Sequence, residues 1–316
     1  RFANNHLYFY ILLLYFKSLI YLFKDPDVLY ITRGYFWGSA IRKFKRLNFA
    51  FDPRSIWHLE NLAAGRINKK SRILPIWKNE EKEILKAATA TLCVSIGMRT
   101  YFQRISSAAT YYQFPILSST NTIHLRSIQE KQIDELTCGY VGSLGLYKVN
   151  VEALKKMLLN LIEAGIQHFY FITNEDPQII KDLFPLECNI KLEIKSVSAS
   201  LVTKELSKVD FGIHALSDQP DSFSRIGVKT VDYWCSSLPI IVNKNVGDTC
   251  LMIQKNQYLG LVVDSKDKIK KESIEKICKT NPTKIRKFYE ENFGFKKWEK
   301  ALKLTMKKMS NKYENR

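Results

Sequence analysis

The sequence is poor in the residues that mark unusual polymers. It holds only 13 Gly and 9 Pro in 316 residues, with no internal repeat of fixed period, which excludes a collagen-like, low-complexity or disordered chain. Its six cysteines, Cys93, Cys138, Cys188, Cys235, Cys250 and Cys278, never stand within four residues of one another. That spacing excludes paired-cysteine zinc and redox motifs. A chain of this length has no need of disulfide staples, so reduced thiols and a cytoplasmic setting are expected. Acidic residues are the minority, 31 against 49 Lys and Arg, for a formal charge of +18. A field of that sign attracts polyanions such as nucleic acid, anionic lipid or phosphorylated substrates.

Long apolar runs are also scarce. Leu7–Phe16 is apolar and resumes after Lys17 and Ser18 as far as Phe23, where Lys24-Asp25-Pro26 ends it. It is shorter than a clean membrane span and lacks the small residues of a cleavage site. A buried core helix, a membrane-surface helix and a span all remain open readings.

What is present is the composition of a globular protein, 46% hydrophobic and 25% charged, at a length suited to about two domains. Positions 1–130 carry 19 basic and 8 acidic residues, the denser basic part. Short apolar runs near 28–32, 48–51, 91–95 and 110–116 read as strands, with helical patterns between them. A polar stretch over 117–136 reads as a linker. The alternation restarts at Thr137, with strands near 138–142, 168–172, 190–194, 209–213, 239–242 and 260–263. Alternating strands and helices imply parallel sheets covered on both faces. The expected fold class is α/β, with two Rossmann-like domains facing a cleft. Their spans are 1–127 and 137–281, followed by C-terminal helices over 282–316 that pack back toward the first domain. Such sheets bind anionic ligands at their carboxyl ends, against helix N-termini.

The most informative stretch runs from Ser222 to Val242. It reads as a loop, a helix opening at Gly227 and a Leu-Pro turn into a buried strand. Gly227 lets a ligand approach the backbone, and free N–H groups after it suit a diphosphate. Arg225 and Lys229 flank that helix start. Asp232 lies one turn further in, where a carboxylate can accept hydrogen bonds from a sugar diol.

These residues resemble the donor motif of family-4-like retaining glycosyltransferases of the GT-B fold. Asp232-Tyr233 stands where the family has Glu-Tyr, and Leu238-Pro239-Ile240-Ile241 where it has Leu-Pro-Val-Ile. Val246-Gly247-Asp248, Gly260–Val263, the loop Gly139–Gly145, Phe51–Ser55 with Glu60, and Val94–Met98 match other pieces in order. The first of the family's paired glutamates is replaced by Ser224. The Arg that follows its loop glycine is replaced by Ser143, with Lys148 five residues on. The family's opening strand–helix units are not found ahead of the first strand, so an N-terminally truncated first domain is expected.

The resemblance implies transfer of a sugar from a nucleotide diphosphate sugar to a glycan or polyprenyl-linked acceptor, with retention, in surface polysaccharide synthesis at the inner face of the plasma membrane. It implies Arg225, Lys229 and His58 as catalytic residues. It implies donor contacts from Gly142, Ser143, Lys148, Val197, Ser224, Gly227, Val228 and Asp232. No cofactor or metal is expected, because two cations and a helix dipole suffice for the leaving diphosphate; Asp25-Pro26-Asp27 reads as turn chemistry. His58 also has a structural reading, and Asp52, Arg54 and Glu60 one as a local ion-pair network. Tyr35 and Trp37 among Arg33, Arg42, Lys43, Lys45 and Arg46 read either as a solvated helix face or as a contact for anionic lipid. The alternatives are a non-catalytic nucleotide-sugar-binding relative and a basic nucleic-acid-binding protein, for which no recognition module is found.

Overall fold

The computed structural model describes residues 29–43, 48–118, 126, 130–144, 148–186, 188–264 and 267–314, with side chains outside 145–149 and 312–316. The apolar run Leu7–Phe16, Asp25-Pro26-Asp27, Lys45, Arg46, Gly145 and the side chain of Lys148 lie outside the described residues. The chain divides into two compact units, residues 1–115 with 298–316 and residues 116–297.

The first unit holds a parallel sheet in the order β1 (Tyr30–Arg33), β2 (Phe49–Asp52), β3 (Ala90–Cys93), β4 (Tyr111–Gln113). Thr32 pairs with Phe51, Ala50 with Ala90 and Leu92 with Tyr112. Every residue of β2 and β3 is buried, whereas β1 buries only Thr32. That is the burial pattern of two central strands and an edge in a sheet covered on both faces. The helices between them are α1 (Tyr35–Ile41), α2 (Trp57–Ala63), α3 (Ile73–Ala87) and α4 (Ile96–Ile105). Ser95 caps α4 by accepting from the Met98 N–H.

The second unit carries β5 (Thr137–Val141), β6 (His168–Ile172), β7 (Lys191–Lys195), β8 (Phe211–His214), β9 (Ile240–Asn243) and β10 (Gly260–Val263), all parallel, in the order β10-β9-β8-β5-β6-β7. Counted from β7, this is the doubly wound 3-2-1-4-5-6 order, so the chain reverses between β5 and β8 and opens a crevice at their carboxyl ends. The helices are α5 (Lys148–Glu163), α6 (Pro177–Lys181), α7 (Val202–Leu206), α8 (Val228–Cys235), α9 (Gly247–Lys255), α10 (Lys271–Cys278) and α11 (Pro282–Phe293). Phe169, Phe171, Phe211, Leu158, Leu161, Ile213 and Ile241 are fully buried in one core. The strands stand within about two residues of their sequence-based positions, since short apolar runs between turn signals mark buried parallel strands well.

The C-terminal helices divide between the units. In α11, Phe288 and Phe293 pack on the buried Trp234 of α8 at 5.3 and 5.8 Å between ring centroids, and Arg286 donates to the Cys235 carbonyl. α12 (Phe295–Glu314) instead lays Met309 on Ala50 and Ala90, and Ala301 on Leu92 and Phe114. All six cysteines are free thiols.

One contact joins the two strands at the reversal. Tyr233 of α8 is fully buried; its hydroxyl accepts from Val141 N–H at 3.0 Å and lies 3.2 and 3.1 Å from the carbonyls of Gly139 and Ile213. Its ring covers Gly212 of β8, where an added Cβ would meet ring carbons at 2.5 Å. Gly212→Ala is therefore expected to push the ring off the sheet and destabilise the fold by about 1–3 kcal/mol, read as a lowered urea midpoint with an unchanged slope.

Candidate functional site

The crevice at the reversal is built from four segments. After β5, Gly142 turns the chain with φ +99°, a backbone region that favours glycine, and its N–H bonds to the Ile172 carbonyl at 2.9 Å. The Tyr140 hydroxyl holds the exposed Ser143 through its carbonyl at 2.8 Å. Glu175, from the turn after β6, accepts from Leu144 N–H at 3.0 Å. After β8, Asn243 clasps Leu216, accepting from its N–H and donating to its carbonyl. Asn150 of α5 accepts from the N–H and the hydroxyl of Ser217. Gly247, at φ +37°, lies where an added Cβ would meet the carbonyls of Ser222 and Arg225, so the 217–227 loop rests directly on the start of α9.

Lys229 is the central group. It stands in the first turn of α8, half-buried, with Nζ donating to the Tyr140 hydroxyl at 2.8 Å and lying 4.2 Å from that ring's centroid. An added Cβ on Gly142 would lie 3.8 Å from Nζ. Among the described residues no carboxylate pairs with it. Burial pulls its pKa down to about 8. Val228 is 51% exposed, but Lys229 folds back against β5.

Arg225 is held differently. Its Nε and Nη2 donate to both oxygens of Asp221 at 2.9 and 2.7 Å, and its carbonyl accepts from Asp248 N–H. Its charge is thus partly answered within the loop, whereas that of Lys229 is not. Ser224 is buried, its hydroxyl donating to the Asp221 carbonyl. Gly227 opens α8 over the ring of His214, where an added Cβ would come within 2.4 Å of the imidazole. Burial, then the nearby Lys229 and Arg225, push the His214 pKa well down, so its ring is neutral. Asp232 is buried and accepts from the Ser118 hydroxyl at 2.7 Å. Val197 lies half-buried in the loop after β7, at the carboxyl edge of the same sheet. Lys148 begins α5.

The structure therefore gathers Gly142, Ser143, Arg225, Gly227, Val228 and Lys229 about one crevice floored by His214. His58 belongs to the first unit and is only 2% exposed. Its Nδ1 lies 3.5 Å from Glu81 and its Nε2 3.2 Å from the Tyr101 hydroxyl. Tyr35 and Tyr101 both donate to the same fully buried Glu81, so His58 is set in a satisfied buried network. Asp52 pairs with Arg54 at 2.9 Å, while Glu60 accepts instead from Ser55. Sequence reasoning missed Tyr140, His214 and Asp221. Asp221 stood four residues before Arg225 as an available signal; Tyr140 and His214 sat inside runs that read as strand.

Among the described residues, no group of three or more His, Cys, Asp and Glu side chains is placed to hold a metal ion, and no helix is long and apolar enough to cross a membrane. No protein-family model matches the chain, and no curated protein matches its sequence. Solved structures do match. Sucrose-phosphate synthase from Thermosynechococcus elongatus is similar at TM-score 0.65 and 14% identity, over 92% of this chain and 75% of that one. A glycosyltransferase from Rickettsia africae is similar at TM-score 0.62 and 12% identity, over 96% and 82%. HepE from Anabaena, whose structure holds UDP, is similar at TM-score 0.60 and 10% identity, over 93% and 82%. The fold is that of the GT-B glycosyltransferases. At these identities the likeness speaks for the fold alone.

The depressed pKa of Lys229 has a stability consequence. Unfolded, the amine titrates near the ordinary ~10.4; folded, at about 8. Between those values the unfolded chain binds more protons, so this group makes stability rise with pH across that window. Lys229→Met is expected to stabilise the protein by about 1–2 kcal/mol near pH 7, once the lost Tyr140 contact is counted. The advantage should shrink toward pH 10, as measured by urea unfolding at both ends.

Proposed function

We propose that the chain is a retaining glycosyltransferase of the family-4 type that uses a nucleotide diphosphate sugar. The observation that carries this reading is the half-buried Lys229 ammonium, which has no carboxylate partner among the described residues and lies beside Gly142 at the strand reversal. A buried unpaired cation is costly, and a pyrophosphate would satisfy it together with the amides at the start of α8. Arg225 supplies the second positive charge. Gly142, Ser143 and Lys148 border the phosphates on the β5 side, and Val197 lies toward the nucleoside end of the crevice. Ser224, Gly227 and Val228 form the loop and helix start, and Asp232 orders the inner turn of α8 through Ser118.

In the reaction the anomeric C–O bond to the diphosphate breaks and a bond to the acceptor oxygen forms, while the acceptor hydroxyl's proton passes to the departing diphosphate oxygen. Negative charge grows on the leaving oxygen, where Lys229, Arg225 and the helix dipole stabilise it more than in the ground state. No metal is required in this scheme. His58, enclosed by Glu81 and Tyr101, takes a structural part. The acceptor is a glycan or polyprenyl-linked glycan, and the setting is surface polysaccharide synthesis on the cytoplasmic face of the membrane. The likeness to HepE with UDP and to other GT-B enzymes supports this reading.

A thermal-shift screen of nucleotide diphosphate sugars is expected to find one that raises the melting temperature. Lys229→Ala should weaken that ligand about 10–100-fold with the fold intact, the loss of one charge-assisted contact. Product formation with the donor's anomeric configuration kept, read by NMR, completes the test. Binding without product would mark a non-catalytic relative, and no stabilisation by any nucleotide sugar would remove the reading.

A further inference from the structure

The six-stranded sheet of the second unit has two edges, and they are built differently. At one edge, β7 leaves Lys191 and Glu193 exposed, with Lys195 paired to Glu193 at 3.0 Å. Charges along an edge strand deter other chains from pairing with it. The opposite edge, β10, reads Gly-Leu-Val-Val, without charge and without proline. The Val263 carbonyl accepts from the N–H of Lys244, the residue after β9. N–H and C=O pairs alternate in direction along a strand, so Val262 turns its own pair away from β9, toward the open edge. Val262 is only partly buried, and among the described residues no group bonds to that outward pair.

This edge is set in a groove. Gly260, Leu261 and Val262 line a cavity of about 740 Å³ that β10 shares with residues of α9, α10 and the start of α11. Lys276, Lys279 and Lys284 line it too, all three exposed, and no acidic residue does. Lys271 and Lys287, which are not part of the lining, have carboxylate partners in Glu275 and Glu291. The three lysines of the groove have none among the described residues. One place in the fold thus combines an unpaired strand edge with three unanswered cations.

We infer that the groove takes an extended acidic peptide segment of a partner protein, which adds to the sheet as a further strand beside β10. Main-chain hydrogen bonds to the Val262 pair hold the segment, and its carboxylates meet Lys276, Lys279 and Lys284. Charge decides against the other occupants. A second copy of this chain pairing through β10 would bring two identical sets of lysines together, and like charges face to face are unfavourable. Nucleic acid or a small anion would answer the lysines and leave the strand edge unpaired. In the sheet, β8 and β9 separate this edge from β5 and Gly142, so the inference does not rest on sugar transfer.

The experiment is selection of binders to the purified chain from a random displayed peptide library, with the triple variant Lys276→Gln/Lys279→Gln/Lys284→Gln as the subtraction target. The selected peptides are expected to be rich in Asp and Glu alternating with apolar residues. The strongest of them, made synthetically, should bind the parent chain in fluorescence anisotropy and bind the triple variant about tenfold or more weakly. Two tests separate strand pairing from charge alone. Methylating every backbone nitrogen of that peptide keeps its charge and should weaken it by about tenfold or more. Val262→Pro removes the outward N–H and spares the bonds to β9, a change edge strands accept, and should cost a similar factor. If Val262→Pro does not fold, the methylated peptide decides alone. The triple variant should keep the parent's melting temperature and respond to any donor nucleotide sugar as the parent does, so failure here and failure of the sugar-transfer reading are seen separately. The inference is overturned if no acidic peptide is selected, or if the methylated peptide binds like the unmethylated one. It is also overturned if inorganic phosphate displaces the peptide better than sodium chloride of equal ionic strength, or if the chain pairs with itself through β10 instead.

Discussion

The second unit is organised around one ammonium group that has been taken partly out of water without a counter-charge. Lys229 could reach solvent from the first turn of α8, but it lies on Tyr140 and against Gly142. The Tyr140 ring and hydroxyl recover part of the lost hydration through a cation–π contact and one hydrogen bond. The remainder shows as a pKa near 8. A protein evolving for stability alone would place a carboxylate there or an apolar side chain. Neither is present, so the arrangement makes physical sense when an anion arrives from outside.

The surroundings keep that group in place. Tyr233 fastens α8 to β5 and β8 at the point where the sheet changes direction, and Gly212 gives its ring room to lie flat. Gly227 does the same for His214, whose neutral ring supports the helix start without adding a third positive charge. Each glycine brings a ring close to a backbone segment, so the crevice has a stiff floor. In the function proposed above, a pyrophosphate would meet N–H groups whose directions such a floor keeps fixed.

Much of this was legible in the sequence and some was not, for physical reasons. Buried parallel strands are short apolar runs, so β5 through β10 stood out, as did the glycine and the helix that follow the 217–226 loop. Side-chain partners are a different matter. That Arg225 would turn to Asp221, that Asp232 would be met by Ser118, and that His58 would lie between Glu81 and Tyr101 depends on rotamers chosen by tertiary packing. Spacing along the chain does not encode them. The contact between the rings of Trp57 and Trp77, twenty positions apart and on different helices, is illegible for the same reason.

The two cations of the crevice divide their work. Arg225 is a planar fork, suited to a two-pronged pair with a carboxylate, and it uses that geometry on Asp221 to close the 221–225 turn. Lys229 is a compact charge on a flexible stem and can shift toward an arriving anion by small rotations. Exchanging the two would place the rigid fork where adjustment is needed and the flexible amine where the loop needs clamping. The position of the acid follows from this. Asp221 stands one turn before Arg225, where its carboxylate meets the fork, whereas position 224 holds a buried serine whose hydroxyl donates to the Asp221 carbonyl. Asp221 thus holds the loop's shape through Arg225 and leaves Lys229 with no carboxylate partner among the described residues.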